Sequence, residues 1–371
     1  MKALITGGLG FIGQALAHRL LRDGHEPVLL DTLSPQIHGE LPRLEAPAGA
    51  RVLRLDVLEL ASRADVLEGC DVVFHLAAET GTAQSMYRIE HYVRVNELGT
   101  AALLEGIAKC SRRARRLVLA SSRSVYGEGA YRCADGRVVQ PAPRAPAQLA
   151  AHRWDHSDVD GSVLVPMATP ETLPFAPGSV YAASKAAQEL LVRSASEPLN
   201  LSTVILRFQN VYGEGQSLLN PYTGIISIFF NRARQGLGIP VYEDGRESRD
   251  FVHVADAVAA LHAAMTADAP NGSVVNVGSG EPTSVETLAR TLLAVSGFDV
   301  PISVTSQYRI GDIRHCYADL DRLQQTLGLR PQISLADGLA RFCAWAHRQP
   351  VHADKLDTAT DELRRKGLTG A

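Results

Sequence analysis

A tyrosine and a lysine four residues apart, Tyr181 and Lys185 in the segment SVYAASKAAQELL, are the residues of this chain best suited to catalysis. Residues four apart share one face of a helix, so the ammonium would lie beside the phenol. A neighbouring positive charge stabilises the phenolate and lowers a pKa that is ordinarily about 10. The segment RLVLASS ends in Ser121 and Ser122. The Ser122 hydroxyl can form a hydrogen bond with the substrate oxygen from which the phenolate would take a proton. These side chains predict a general base that works near neutral pH.

A glycine-rich turn at the start of the chain predicts a dinucleotide site. Such a turn places glycines where φ is positive and where backbone approaches a pyrophosphate, and the following helix offers free N–H groups. The next apolar segment, EPVLLD, ends in a carboxylate at the interval expected of a ribose-binding residue, and its charge favours NAD over NADP. A tight structural turn alone would explain the glycines, but not the carboxylate. The cofactor-binding residues predicted here are Gly7, Gly10, Phe11, Ile12, Gly13, Asp31 and Thr32.

The alternation of apolar strands with helical segments predicts an α/β fold, a Rossmann-type doubly wound parallel sheet with a smaller C-terminal substrate-binding lobe. We predict a cofactor domain at 1–206, a lobe at 207–350 from which 251–280 returns to the core, and a tail at 351–371. The predicted strands are KALITGG, EPVLLD, ARVLRLD, DVVFHLAA and RLVLASS, and a helix is predicted over 96–109. The residues that would complete the cofactor site are Asp56, Val57, Leu76, Ala77, Ala78, Asn96, Ser121, Tyr181 and Lys185.

The alternation stops at about 128–178, in an insert rich in Pro, Ala and Arg. Proline at this density favours an ordered but irregular segment, and a loop of this length is usually functional or disordered. The insert would be either a lid or wall over the substrate or a solvated insertion.

Composition narrows the class of protein. The chain has 371 residues, of which 46% are hydrophobic, and a net charge of −3, which describes a soluble globular protein and argues against a nucleic-acid binder. Its five cysteines show neither CxxC pairs nor histidine partners, so no disulfide framework and no metal site are expected. The dinucleotide motif starts at the fifth residue and no apolar run has membrane-spanning length, so a cytoplasmic protein without a membrane partner is expected.

Nine motifs in order make the chain resemble the extended short-chain dehydrogenase/reductase family, in particular its nucleotide-sugar epimerases and dehydratases. They are TGGLGFIG, DTL, HLAA, VNELGT, SSRSVYG, YAASK, LRFQNVYG, RDFVHV and NVGSGEPTS. The resemblance implies that Tyr181 is the base, that Ser122 assists it, and that Lys185 also holds the nicotinamide ribose. It also implies a homodimer, formed through the helix at 96–109 and the helix that bears Tyr181. His75 and His253 are expected to be structural.

Arginines in the second half of the chain predict where the substrate binds, since guanidinium groups bind the phosphate oxygens of a nucleoside diphosphate bidentately. The resemblance assigns this role to Arg249 and Arg309, places Asn210 near the diphosphate, and places Val241 and Tyr242 beside the base. The full set of predicted substrate-binding residues is Thr82, Ser122, Arg123, Asn210, Thr223, Val241, Tyr242, Arg249 and Arg309.

The two residues immediately after Ser122 indicate which reaction the protein would catalyse. Dehydratases of the resembled family carry an Asp-Glu pair there, whereas this chain has Arg123 and Ser124. The resemblance then implies 4-epimerisation through a transient 4-keto sugar, on dTDP-L-rhamnose and dTDP-6-deoxy-L-talose or a related nucleotide hexose. A dehydratase or other nucleotide-sugar oxidoreductase, and a non-catalytic NAD-binding protein, stay open. So does a UDP-uronate 4-epimerase in which Arg123 contacts the sugar carboxylate, unless Arg123 pairs with an insert acid such as Glu128 or Asp135.

Overall fold

The computed structural model describes residues 1–39, 46–220, 224–354 and 356–370. The strands in chain order are β1 Lys2–Thr6, β2 Glu26–Asp31, β3 Arg51–Arg54, β4 Val72–His75, β5 Arg116–Ser122, β6 Ala130–Arg132, β7 Val138–Val139, β8 Val165–Met167, β9 Ser202–Phe208, β10 Asn210–Tyr212, β11 Ile239–Val241, β12 Ser248–Arg249, β13 Phe251–His253, β14 Ser273–Val277, β15 Thr283–Ser284, β16 Ile302–Val304, β17 Tyr308–Arg309, β18 His315–Cys316 and β19 Thr369–Gly370.

Helices lie between these strands. The α-helices are α1 Phe11–Arg22, α2 Pro35–His38, α3 Thr82–Ser85, α4 Ile89–Tyr92, α5 Gly99–Lys109, α6 Pro146–Ala150, α7 Val180–Ser196, α8 Ile225–Arg234, α9 Val254–Thr266, α10 Val285–Ser296, α11 Asp321–Leu327, α12 Leu335–Ala346 and α13 Leu356–Arg365. Single turns of 3₁₀-helix cover Val57–Glu59, Ala64–Val66 and Arg123–Tyr126, and a π-helical turn covers Val93–Leu98.

The centre of the molecule is a seven-stranded parallel sheet in the order β14-β9-β5-β4-β1-β2-β3. Helices α1 and α9 pack on one face, where Leu16 and Leu261 share a core, and α5 and α7 pack on the other, where Leu103 and Val192 do. Because both faces are buried, the inner strands carry apolar runs without alternation, as in Val72–Phe74 of β4. The predicted doubly wound fold is confirmed.

The order of the strands reverses between β1 and β4. In open parallel sheets, ligands bind at such a point, beyond the carboxyl ends of the strands. The turns that follow β1 and β4 carry two of the predicted cofactor segments.

A second hydrophobic core forms the C-terminal lobe. Helices α8, α10 and α12 and the parallel pair β11–β16 enclose Phe230, Leu288 and Phe342. The predicted return segment, 251–280, contains β13, α9 and β14, and its last two elements pack in the central layer. The predicted tail contains α13 and β19.

Two elements differ from their sequence-based predictions. The insert is not wholly irregular: β6 pairs antiparallel with both β7 and β8, in strands too short to show alternation, and Pro166 lies in the edge strand β8. The helix predicted over 96–109 begins earlier, at Ile89, because the π-helical turn Val93–Leu98 continues α4 into α5.

Candidate active site

A cleft of about 1080 Å³ separates the carboxyl ends of the central strands from the C-terminal lobe. Predicted site residues that line it are Gly7, Gly10, Phe11, Ile12, Gly13, Asp31, Thr32, Asp56, Val57, Leu76, Ala77, Ala78, Thr82, Ser121, Ser122, Arg123, Tyr181, Lys185, Asn210, Tyr242, Arg249 and Arg309. Two others, Asn96 and Val241, are not among its lining residues, and Thr223 lies outside the described residues.

The turn between β1 and α1 is a cradle in which backbone lies against backbone. Gly7 has φ +66°, and a Cβ there would lie 2.9 Å from the amide nitrogen of Ala77. A Cβ on Gly13 would lie 2.4 Å from the carbonyl oxygen of Gly7. The first N–H groups of α1 have no partner within the helix, and Phe11 and Ile12 line the cleft at this end. This cradle fits a pyrophosphate group.

Asp31, the last residue of β2, is hydrogen-bonded to this turn and also lines the cleft. Its carboxylate accepts hydrogen bonds from the backbone N–H groups of Leu9, at 3.0 Å, and Leu33, at 2.9 Å. A carboxylate has about four acceptor sites, so it can also accept from two ribose hydroxyls. Asp56 lines the same end, but one of its oxygens caps the following 3₁₀ turn by accepting from the N–H of Leu58.

The bonds of Asn96 and the burial of Val241 put both behind the cleft walls. The Asn96 side chain accepts from the Glu79 N–H at 2.8 Å and donates to the Glu79 carbonyl and to the Ser184 hydroxyl. It therefore holds the loop after β4 against α7. Val241 is fully buried in the lobe core, since side chains alternate along β11, and its neighbours Pro240 and Tyr242 face the cleft.

Ser122, Tyr181 and Lys185 come together where β5 ends and α7 begins. The helix starts at the N-cap Ser179, whose hydroxyl accepts from the Ala182 N–H at 3.1 Å, and Tyr181 lies in the first turn. The hydroxyl of Ser122 is hydrogen-bonded to the Tyr181 phenol. The Lys185 ammonium donates to the carbonyl oxygen of Ala120 at 2.9 Å.

The charges around the phenol differ from the prediction. Burial raises the pKa of Tyr181, opposed by the hydrogen bond from Ser122 and by the positive charge of Arg123. Burial also lowers the pKa of Lys185 to about 7, so its ammonium is only partly charged at neutral pH. The prediction that Lys185 brings the phenol's pKa to neutrality is therefore wrong for this structure: burial dominates, and the opposing cation is Arg123.

A buried ion pair supports Ser121, at the end of β5, from the side away from the cleft. Ser121 donates a hydrogen bond to Glu189, which also accepts two bonds from Arg207 at 2.8 and 2.9 Å. The Arg207 guanidinium lies over the rings of Tyr126 and Phe175, at 4.7 and 5.1 Å from their centroids. Ser121 and the end of β5 are thus held by a paired charge that does not face the cleft.

Three guanidinium groups, those of Arg123, Arg249 and Arg309, line the cleft around Asp312. Burial works to raise the pKa of Asp312, but these cations, with Arg249 the strongest, keep that pKa below its usual value. Arg249 contacts the Asp312 carboxylate at 3.2 Å, and Arg309 lies over the Tyr242 ring at 4.9 Å. The three positive charges outnumber this carboxylate, which suits an anionic ligand such as a diphosphate.

Among the predicted site residues, Arg123 has the surroundings that differ most from the expected ones. It forms no ion pair with a carboxylate among the described residues, and its Nε donates only a long bond, 3.4 Å, to Asn210. Glu128 pairs instead with Arg144 and His156, and Asp135 pairs with Arg137. The alternative in which an insert acid neutralises Arg123 is therefore wrong.

The tail forms part of the cleft wall. Strand β19 pairs antiparallel with β17, so Arg309 lies opposite Thr369, and both Leu356 and Leu368 line the cleft. The Tyr242 hydroxyl bonds Thr360 at 3.2 Å. Lys366 lies 5.4 Å above the Tyr87 ring, which belongs to the opposite side. The tail therefore crosses from the lobe towards the cofactor domain.

Sequence reasoning missed the place of the tail in the cleft wall, and it missed Glu247. The signal for the tail was present, since Leu356, Ala359 and Leu363 recur at helical spacing and are the buried residues of α13. Glu247 lines the cleft two residues before Arg249, and burial raises its pKa to about 8. No local pattern marks that glutamate, because its burial depends on the packing of the lobe.

The two histidines expected to be structural are buried. His75 bonds the hydroxyls of Thr6 and Thr100, and burial lowers its pKa to about 3, so it is neutral. His253 caps α9 by accepting from the Ala255 N–H and contacts Glu214 at 2.9 Å. Both sets of bonds fix backbone or helix positions.

Comparison with known proteins agrees with this geometry. The model of the NAD dependent epimerase/dehydratase family matches residues 3–150 and 160–278. The chain belongs to this family, and NAD is its cofactor, which fits the glycine cradle and Asp31. Within the described residues, no helix is both long and apolar enough to cross a bilayer.

Several relatives are similar over nearly the whole chain. A dTDP-L-rhamnose 4-epimerase of Burkholderia thailandensis is 40% identical over 93% of this chain and 94% of its own length. A UDP-glucose 4-epimerase of Mycolicibacterium smegmatis is 30% identical over 92% and 97%. Among solved structures, UDP-glucose 4-epimerase of Thermotoga maritima with UDP-glucose has a TM-score of 0.76 and 25% identity, covering 94% of this chain and 99% of that one. MoeE5 in complex with UDP-glucuronic acid and NAD has a TM-score of 0.74, 30% identity and the same coverage.

Proposed function

We propose that this protein is an NAD-dependent nucleotide-sugar 4-epimerase that interconverts dTDP-L-rhamnose and dTDP-6-deoxy-L-talose or a closely related pair. The observation that carries the proposal is that the Ser122–Tyr181 hydroxyl pair lines one cleft together with the glycine cradle and the cluster of Arg123, Arg249 and Arg309. The similarity to the Burkholderia thailandensis enzyme supports this choice of sugar.

The proposed mechanism assigns one task to each group. NAD, when bound, supplies the acceptor and donor of hydride at the sugar C4. Tyr181 takes the proton of the C4 hydroxyl as general base and returns it later, while Ser122 holds the same oxygen. Arg249 and Arg309 hold the diphosphate, so the 4-keto sugar is free to turn and present its other face. The cofactor residues keep NAD bound throughout, since each turnover regenerates it.

The side chains beside Ser122 favour epimerisation over elimination of water. Elimination needs an acid and a base placed at the neighbouring carbons, and the next two residues are Arg123 and Ser124, neither of which offers a carboxylate. The Arg123 charge instead stands near the tyrosine, where it favours the phenolate.

A uronate 4-epimerase is the second candidate. It is favoured by one observation, the absence of any carboxylate partner for Arg123 among the described residues, since a cation in a cleft can bind a sugar carboxylate. The similarity to MoeE5, solved with UDP-glucuronic acid, points the same way.

A panel of dTDP-, UDP- and GDP-sugars, incubated with the purified enzyme and resolved by chromatography, distinguishes these functions. We expect the C4 epimer of a dTDP-6-deoxyhexose without accumulation of a 4-keto sugar. A 4-keto product would favour the dehydratase, and conversion of uronates alone would favour the second candidate. Tyr181→Phe is the matched control, because it removes the hydroxyl and keeps the ring; its turnover should fall by about 10² to 10⁴.

We also propose that a second copy of the chain covers the outer face of α4, the π-helical turn that leads into α5, and α7. Apolar side chains that are 37–54% exposed lie on this face, at Ile89, Val93, Leu98, Leu190 and Leu191. The π-helical turn packs directly against α7, so these side chains belong to neighbouring helices. Sedimentation should give a dimer for the wild type and a monomer for Leu98→Glu.

The proposed compartment is the cytoplasm. All five cysteines are buried free thiols, a state that suits a reducing environment.

A further inference from the structure

The insert of residues 128–178 is attached to the segment that carries the substrate-side charges. Of the insert, only its last residue, Gly178, is among the residues that line the cleft. Its buried polar groups face residues 312–314 and the loop after β11 instead. This placement argues against a lid and calls for another explanation of a large, well-packed insertion.

Arg144 makes the first attachment. Its side chain is 1% exposed and donates two bonds to the Glu243 carboxylate, at 2.8 and 2.9 Å. The same guanidinium donates to the carbonyl oxygen of Asp312 at 3.0 Å. A planar guanidinium fixes these acceptors at set angles, which a flexible amine would not do.

Arg314 makes the second attachment from the other side. Its backbone N–H donates to the Glu128 carboxylate at 2.7 Å, and its Nε donates to Asp155 at 2.9 Å. Its remaining nitrogens bind Asp244 and Glu243, which belong to the lobe. A fully buried arginine is therefore shared between two acids of the insert and two of the lobe.

Asp312 connects this network to the cleft. Its backbone carbonyl accepts from Arg144, while its carboxylate contacts Arg249 at 3.2 Å. Arg249 also donates to the backbone carbonyls of Ile313 and Arg314. The position of the Arg249 guanidinium thus depends on residues 312–314, and those residues are bonded from behind by the insert.

The base of the insert is fixed to the central sheet. Thr169 accepts from the Asn276 amide at 2.8 Å through its carbonyl oxygen, and from the Ala130 N–H at 3.1 Å through its hydroxyl. Asn276 lies in β14 and also accepts from the Tyr126 hydroxyl. The insert therefore spans from the sheet to the lobe and is hydrogen-bonded to both.

We infer that the insert is a positioning element, in which Arg144 and Glu128 hold residues 312–314 so that Arg249 meets the substrate diphosphate. The inference rests on the proposed function, since it assigns Arg249 to a nucleotide sugar. Arg144 and Glu128 touch neither substrate nor cofactor in this scheme. Their effect should therefore appear in the affinity for diphosphate and in KM, with kcat and NAD binding little changed.

The test uses the NAD-bound enzyme and calorimetric titration with dTDP, alongside kcat and KM for the nucleotide sugar. Arg144→Met should weaken dTDP binding about tenfold. This is the lower end of the loss of affinity expected when one charge-assisted hydrogen bond is misplaced. Arg144→Lys should retain more affinity than Arg144→Met. The matched control is Arg137→Met, because Arg137 is an exposed arginine of the same insert whose ion-pair partners within the described ranges are Asp135 and Asp158. The dTDP affinity of this variant should equal that of the wild type.

A double variant separates positioning from general damage. If Arg144 acts through Arg249, then Arg144→Met should add little once Arg249→Ala is present, whereas independent effects would add. If Arg144→Met does not fold, Glu128→Gln is used instead, and a smaller loss of dTDP affinity is expected. Unchanged dTDP affinity in a folded Arg144→Met enzyme, or full additivity with Arg249→Ala, overturns the inference. A wild type that binds dTDP but epimerises no sugar overturns the proposed function alone.

Discussion

Lys185 is a buried cation whose position opposes folding. Its side chain lies within the protein, 3% exposed, and burial lowers its pKa from 10.5 to about 7. The unfolded chain holds this proton up to about pH 10.5, and the folded chain only below about 7, so the unfolded state binds more protons between these values. The stability of the fold therefore falls as the pH drops through this window, by roughly 5 kcal/mol at most.

We predict that Lys185→Met abolishes epimerisation and raises the free energy of unfolding at pH 7. The gain should be about 2–3 kcal/mol, since leaving the Ala120 carbonyl without its donor costs about 1–3 kcal/mol. Urea denaturation of the nucleotide-free proteins at pH 7 and 9.5 measures it, and the advantage of the variant should shrink at the higher pH. A difference that is equal at both pH values would contradict this account.

The charge of Arg123 should affect how activity depends on pH. Because its charge lowers the pKa of Tyr181 against the effect of burial, Arg123→Met should raise that pKa. The acid limb of the kcat/KM profile should then move to higher pH, and the loss at pH 7 should be recovered in part at pH 9. Arg123→Lys, which keeps the charge, is the matched control. An unshifted profile would mean that the base titrates independently of this arginine.

Residue type and spacing were sufficient to predict that Ser122, Tyr181 and Lys185 face one cleft. They could not predict the electrostatics, since burial lowers the pKa of Lys185 and raises that of Tyr181, the latter against the Ser122 hydrogen bond and the charge of Arg123. Both pKa values therefore depend on tertiary packing. The same reason explains why Asn96, predicted at the cofactor, instead bonds the loop around Glu79.

At the scale of elements, long segments with clear periodicity were predictable and short ones were not. The five predicted strands all lie in the central sheet, and their apolar runs reflect burial on both faces. Strands of two or three residues, such as β6 to β8 of the insert, contain too few residues to show a period. Helix α13 is amphipathic, but its place against the cleft depends on pairing between β19 and β17, far apart in the chain.

The docking of helix α13 and strand β19 can be tested by a substitution in the helix. Leu363→Asp should undock the tail, since Leu363 lies on the buried face of α13, and should raise KM for the nucleotide sugar about tenfold with NAD binding unchanged. Arg365→Ala, an exposed change on the same helix, is the control. Steady-state kinetics and NAD titration measure both variants, and an unchanged KM for Leu363→Asp would show that the tail is dispensable.

At the scale of the whole molecule, separate regions hold the two ligands. The glycine cradle and Asp31 lie on the sheet side of the cleft, whereas Arg249 and Arg309 lie on the lobe side. The order of the segments in the sequence does not reveal that these residues lie on opposite sides of one cleft. The cleft exists only once the lobe has packed. Since NAD is regenerated in each proposed turnover, nothing in the reaction requires it to leave.

We therefore predict that the purified enzyme retains NAD and works without added cofactor. The ultraviolet spectrum of released nucleotide and the NADH absorbance during turnover measure this. Asp31→Ala should lose NAD and reduce discrimination against NADP, since its carboxylate would repel the 2′-phosphate. Stoichiometric NADH formation, or equal wild-type affinities for NAD and NADP, would contradict the prediction.

The pairing of β19 with β17 also has a consequence for synthesis on the ribosome. The central sheet is complete once β14, ending at Val277, has emerged, whereas Leu368 and the adjoining strand β19 emerge later. At about 5–20 residues per second, the interval between these events is several seconds. During that interval the nascent chain has a full dinucleotide cradle but an open substrate wall. NAD can therefore act as a ligand that stabilises the growing chain before any sugar nucleotide can be gripped.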